Sequence, residues 1–149
     1  MSARDGCQLM MAVCPHLLLS FLSPWLVPDL SIPTDALLAE AVSLVDSLST
    51  WSVVGSTVQL VEGLRFGLLF GRQGADEVLE LIEAHRAEIS AVFVNHERLT
   101  YTQRIKLEEW WRLPVFDRYS TVLRIFNERA KTKEAKLQIA LAEIPYMRR

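Results

Sequence analysis

The sequence predicts an α/β fold: a small, mostly parallel four-stranded sheet flanked by helices and followed by a C-terminal helix. Three observations carry this. Short β-branched or apolar runs near residues 51–61, 68–70, 89–94 and 114–116 alternate with amphipathic stretches of about ten residues. Such alternation is the pattern of strand–helix units. Ala91-Val92-Phe93-Val94 is apolar at every position, as suits a strand covered on both faces. Finally, hydroxyl and carboxylate residues stand where helices should begin.

Taken in order, residues 1–33 read as a leader of uncertain order, 34–131 as the α/β domain and 132–149 as the start of a helical extension. Pro24, Pro28 and Pro33 punctuate the leader's end. Thr34 or Asp35 can cap a helix running to about Ser49, because either side chain can accept an orphan amide proton of the first turn. Leu37, Leu38, Ala41, Leu44, Val45 and Leu48 form its apolar stripe. Trp51 to Val61 is the first expected strand, rich in β-branched Val and Thr. Leu68-Leu69-Phe70 is a short second one, and the link between the two is too short for a parallel crossover. That pair should be antiparallel if adjacent. Gly71 to Gly74 is a turn, and Ala75 to about Arg86 a helix burying Val78, Leu81, Ile82 and His85. Ile89 to Val94 is the third strand. Thr102 to Trp111 is a helix, Pro114 to Phe116 the fourth strand, Ser120 a candidate cap for the next helix and Thr132 for the last. The helix that Ser120 can cap carries Val122, Leu123, Phe126 and Ala130.

The chain has 149 residues, enough to bury roughly 70% of its unfolded surface in one core. Its net charge of -2 hides a split. Residues 1–97 hold four Lys/Arg and twelve Asp/Glu; residues 98–149 hold twelve and six. The two parts are therefore -8 and +6, and the basic part suggests an anionic partner such as nucleic acid. A solvated face that offsets the acidic part is the plainer reading.

Cys7 and Cys14 imply neither a disulfide framework nor a zinc site, so free thiols in a reducing compartment are the default. The apolar stretch Leu9 to Leu22, broken by Pro15 and His16, is too short to span a bilayer. As a targeting segment it is not convincing, because only Arg4 precedes it and no small-x-small site follows.

Candidate chemical sites are few. Gly71-Arg72-Gln73-Gly74 lies between a strand and a helix, and a helix N-terminus presents free amides to an anion. Gly71, Arg72 and Gly74 are thus weak anion-site candidates, and a structural turn is the plainer alternative. Neither G-x-G-x-x-G nor G-x-x-x-x-G-K-[ST] occurs, so GTP has no cradle in this chain. His96-Glu97 lacks the second His of a zinc-protease helix, and adjacent Glu108 and Glu109 do not share a helix face. Asp117 should cap the next helix or pair with Arg118. No catalytic residues, metal ligands or cofactor-binding residues emerge. Arg129, Lys131, Lys133 and Lys136 form a basic group suited to RNA phosphates. No stacking platform is apparent near them, so base-specific reading is not expected.

The stretch Pro114 to Glu143 carries a resemblance. A short apolar strand ends in Asp117-Arg118, an amphipathic segment follows, and then comes Ala130-Lys131-Thr132-Lys133-Glu134-Ala135-Lys136-Leu137-Gln138. This resembles the N-terminal domain of the HflX-type GTPases, where a strand ending in Asp-Arg leads through a helix to an Ala-Arg-Thr-(Lys/Arg)-Glu-(Ala/Gly)-Lys-Leu-Gln run. Trp51-Ser52-Val53-Val54 and Leu141-Ala142-Glu143-Ile144-Pro145 look closest to the family's animal mitochondrial branch. The resemblance covers residues 36–149, loosely over 55–75. It implies that the last helix is the first arm of a helical hairpin, followed in the family by a GTPase domain that binds GTP and Mg. It also implies a role in mitochondrial ribosome splitting or assembly. The implied partners are large-subunit ribosomal RNA, through Arg129, Lys131, Lys133 and Lys136, and the family's GTPase domain, with no membrane. The implied location is mitochondrial, otherwise cytoplasmic.

Two other readings stand beside it: a small nucleotide-binding enzyme using the Gly71 turn, and a protein-interaction module without RNA binding. Leu137, Leu141 and Ile144 form one apolar stripe on the last helix, interrupted by Pro145. That stripe should fold back on the domain, self-associate or fray the helix.

Overall fold

A computed structural model describes residues 7–13, 34–58 and 72–147. Nine elements follow one another: β1 (Cys7–Val13), α1 (Thr34–Asp46), β2 (Trp51–Val58), α2 (Arg72–Ala84), β3 (Ala91–Val94), α3 (Tyr101–Trp111), β4 (Val115–Phe116), α4 (Arg118–Arg129) and α5 (Lys133–Met147). The four strands form one sheet in the order β2-β1-β3-β4. Every neighbouring pair is parallel.

The α/β class and the parallel sheet are as the sequence predicts; the strand set differs. β1 comes from the segment read as a leader and occupies an interior position, pairing with β2 from Cys7↔Trp51 and with β3 from Leu9↔Ala91. A short apolar run bounded by Pro reads equally well as strand, helix segment or targeting sequence, since periodicity cannot separate them. Leu68-Leu69-Phe70 and its expected antiparallel pairing lie outside the described residues. β2 is described as far as Val58 and finds its partner in β1, in parallel.

Alternation along β3 splits the core into two layers. Val92 and Val94 face one side, where Ala75, Val78 and Ile82 of α2 meet Leu107 and Trp111 of α3. Ala91 and Phe93 face the other, against Ala41 and Val45 of α1 and Leu48 just beyond it, with Trp51 and Phe116. Both sides of β3 are thus covered, which accounts for its apolar spelling. Trp111 is fully buried and satisfies its one polar atom by donating from Nε1 to the Ala75 carbonyl at 3.1 Å. Burying that N–H without an acceptor would be costly. On the opposite face Trp51 meets Phe116 edge to face at 5.0 Å.

The helix boundaries follow their caps. Thr100 and Gln103 form a reciprocal box at the start of α3. α3 closes on Arg112 in the left-handed region, whose backbone N–H donates to the Glu108 carbonyl. Asp117 caps α4, one of its two expected roles, and Ser120, the other candidate cap, sits three residues on, its hydroxyl accepting from the Asp117 N–H at 3.0 Å. A carboxylate there caps as well as a hydroxyl and starts the helix earlier. Thr132 caps α5, its Oγ1 accepting from the Ala135 N–H at 3.1 Å. α5 continues past Pro145 to Met147. Proline in the last turn removes one helical bond, to the carbonyl four residues back, and leaves the preceding turns intact.

Candidate functional site

The C-terminal edge of the sheet holds the topological switch point. In an order of 2-1-3-4 the chain reverses direction between β1 and β3, and α/β proteins place ligands in the crevice beyond that point. β3 and β4 deliver Asn95, His96, Asp117 and Arg118 to this edge. Their polar atoms bond one another. Asp117 is fully buried; it accepts from the Leu99 N–H at 2.7 Å and from the Ser120 N–H at 2.8 Å. It therefore caps α4 and also fastens the loop after β3. The expected pairing of Asp117 with Arg118 does not form. The Arg118 guanidinium donates to Asn95 Oδ1 at 2.8 Å and to Glu40 on α1 at 2.7 Å.

His96 is half-buried, and loss of solvent pushes its pKa below the ordinary value, against the pull of the nearby Asp117 carboxylate. Its Nδ1 accepts from the Arg98 N–H at 3.2 Å, consistent with a neutral ring. Among the described residues this edge is a structural knot, and none of them pairs a nucleophile with a base.

Gly71 lies outside the described residues. Arg72 opens α2, and Gly74 belongs to its first turn, three residues earlier than the helix start read from sequence. His85 is part-buried, with Nδ1 3.1 Å from the Leu81 carbonyl. Glu108 accepts from the Val115 N–H at 3.3 Å while Glu109 is exposed, so the adjacent pair divides between two faces. Among the described residues, no three His, Cys, Asp or Glu side chains are placed to hold a metal ion. Among them, too, no helix is long and apolar enough to cross a membrane.

The basic group is gathered at one end of an antiparallel helical hairpin. α4 ends at Arg129, residues 130–132 turn the chain, and α5 returns from Lys133. The Tyr119 hydroxyl, in the first turn of α4, donates to the Ala142 carbonyl near the far end of α5 at 2.8 Å, which fixes the antiparallel pairing. Arg129, Lys131, Lys133 and Lys136 are all exposed. The ion pairs among the described residues are Arg86–Glu83 and Arg118–Glu40, so none of the four is engaged in one. Elsewhere the basic part is less available. Arg118 is ion-paired, and Arg124 lies over the rings of Trp51 and Phe116 at 5.1 and 5.0 Å. Arg98 lies over Tyr119 at 5.0 Å.

Beside these cations the two helices part. A groove of about 360 Å3 runs between them, with Leu123, Phe126 and Ala130 on α4 and Ala135, Ile139 and Ala142 on α5. Arg129 and Gln138 are its polar members. Phe126 lines the groove and is 59% exposed. Ala135, Ile139 and Ala142 of α5 line the same groove, and the ring stays open to solvent. α5 carries a second apolar face on its other side, where Leu137, Leu141 and Ile144 are 65%, 64% and 45% exposed. That stripe does not fold back onto any described part of the domain.

Comparison with known proteins places this arrangement. A family model described as "GTP-binding GTPase N-terminal" matches residues 35–127. A Xenopus laevis protein named GTP-binding protein 6 is 46% identical over 114 residues, covering 76% of this chain and 21% of that protein. The GTPase HflX of Caldanaerobacter subterraneus is 34% identical over 94 residues, 63% of this chain and 21% of its own length. The chain thus spans about a fifth of the curated relatives it matches. A crystal structure of a GTP-binding protein from Sulfolobus solfataricus, in complex with GDP, shares the fold. It superposes with a TM-score of 0.63 at 18% identity, covering 94% of this chain and 36% of that one.

Proposed function

Since the chain belongs to the GTP-binding GTPase N-terminal family, the N-terminal domain of HflX-type proteins, we propose that it is the RNA-contacting part of a ribosome-associated GTP-binding protein. The target is ribosomal RNA of the large subunit, and GTP binding and hydrolysis belong to another part of the protein. The supporting observation is the end of the α4–α5 hairpin: Arg129, Lys131, Lys133 and Lys136 are exposed and in no ion pair among the described residues. Such cations neutralise phosphates and displace the counterions condensed on the RNA backbone, and no internal salt bridge must break first. The resemblance to the animal mitochondrial branch favours the mitochondrial ribosome as the assembly acted upon.

Titrating the pure protein with large-subunit RNA fragments over a range of salt concentrations tests this. Log affinity should fall linearly with log salt, by about 0.7 to 0.9 for each phosphate contacted. Replacing Lys131, Lys133 and Lys136 together with Glu should weaken binding to all RNAs by a similar factor and flatten that slope by about two to three. Unchanged binding by the triple variant would reduce the basic group to a solvated face.

A further inference from the structure

The groove between α4 and α5 combines three things that rarely meet on a surface without use. It has an exposed aromatic ring, an apolar floor and a cationic end. Phe126 is 59% exposed and lies one turn from Arg129, which lines the same groove. Ala130, Ala135, Ile139 and Ala142 give it apolar walls, and Gln138 adds an amide that both donates and accepts. Lys131 follows in the connector and Lys136 is one turn into α5. We infer that this groove takes a single unpaired nucleobase, stacked on Phe126, while Arg129 and the neighbouring lysines hold the flanking phosphates.

The inference rests on the RNA-contact reading and adds a preference to it. Phosphate contacts carry no preference for strandedness, whereas a ring face in a groove can be reached only by a base that has left its stack. Charge complementarity selects the occupant. The tip from residue 129 to 136 holds four cations and one acid, Glu134. The nearby acid on α4, Glu128, is bonded to the hydroxyl and backbone N–H of Ser49. A second copy of this chain would set four more cations against these four. Size points the same way, because about 360 Å3 lies at the small end of the roughly 300–1,000 Å3 typical of ligand pockets. That suits one base and not a duplex edge.

The test compares single-stranded uridylate and adenylate oligonucleotides with a fully paired RNA stem of equal phosphate number, at fixed salt, using the full chain. Phe126→Leu keeps an apolar helix-forming side chain but removes the ring face. It should weaken single-strand binding by about 5- to 100-fold, the loss expected for one stacked base. Affinity for the paired stem and both salt slopes should not move. Phe126→Trp should retain single-strand affinity, which guards against misfolding as the cause of a loss. The inference fails if Phe126→Leu binds single strands as the parent does, an outcome that assigns the groove to an apolar peptide, since leucine serves a packed helix as well. It also fails if both RNAs weaken by the same factor. A concentration-dependent dimer in sedimentation, dissolved by Phe126→Leu, would assign the groove to a second copy instead. A parent chain that binds neither RNA would remove the RNA-contact reading itself.

Discussion

Asp117 shows how much one residue can organise. It lies at the end of a two-residue strand and is fully buried, yet both carboxylate oxygens are used. One caps α4 through the Ser120 N–H, and the other receives the Leu99 N–H from a loop eighteen residues back. A capping carboxylate was legible from the sequence, because Asp stood just before an amphipathic stretch. The second bond was not, because local spacing cannot report a partner across the sheet edge. Asp117→Ala should cost about 2–4 kcal/mol, combining a lost helix cap with an amide left buried and unpaired. Asp117→Asn should cost less, since its amide oxygen still accepts one of the two bonds. Urea denaturation of the two variants measures both. A loss below about 0.5 kcal/mol for alanine, the level of an ordinary surface change, would mean that the Leu99 bond contributes nothing.

At the scale of elements, α5 is the least supported. It packs on α4 through Ala135, Ile139 and Ala142, a narrow seam of mostly small residues. A fifteen-residue helix is marginal by itself in water, so that seam must hold it. The Tyr119 hydroxyl bond to the Ala142 carbonyl is the tie described between the far end of α5 and the start of α4. Tyr119→Phe removes the hydroxyl and keeps the ring. It should loosen the second half of α5 by about 1 kcal/mol, seen as roughly fivefold faster hydrogen exchange at residues 139–144. Amides of α3 should exchange unchanged. Uniform acceleration across the domain would show that α5 opens only with global unfolding. The exposed Leu137, Leu141 and Ile144 were legible as a stripe from their spacing. That the same helix turns a different, smaller-residue face to α4 depends on how two helices meet, which spacing within one of them does not contain.

For the molecule as a whole, the sheet order decides most. β1 lies between β2 and β3, so without it β2 has no described partner and β3 keeps only the two-residue β4. Removing residues 1–13 should therefore abolish cooperative folding and not merely trim a leader. The lost ladders are long-range, and no described strand is free to replace them. Circular dichroism during thermal unfolding of the shortened chain is the measurement. A sharp transition at the temperature of the full chain would show that the domain closes without β1.

The sequence by itself determined the local grammar: which stretches are helical, that Asp117 and Thr132 can start two of them, that β3 is covered on both faces, and that cations cluster at residues 129–136. Each of these is fixed by neighbours within a turn or two, through hydrogen bonds and periodic burial that a chain carries along its length. The tertiary structure alone decided three further things. It drew the leader's strand into the sheet, it occupied Arg98, Arg118 and Arg124 with internal partners while leaving the hairpin cations out of ion pairs, and it left the Phe126 ring exposed in the groove beside those cations. These depend on pairings between residues distant in the chain, and a charge count or a periodicity is the same whichever partner arrives.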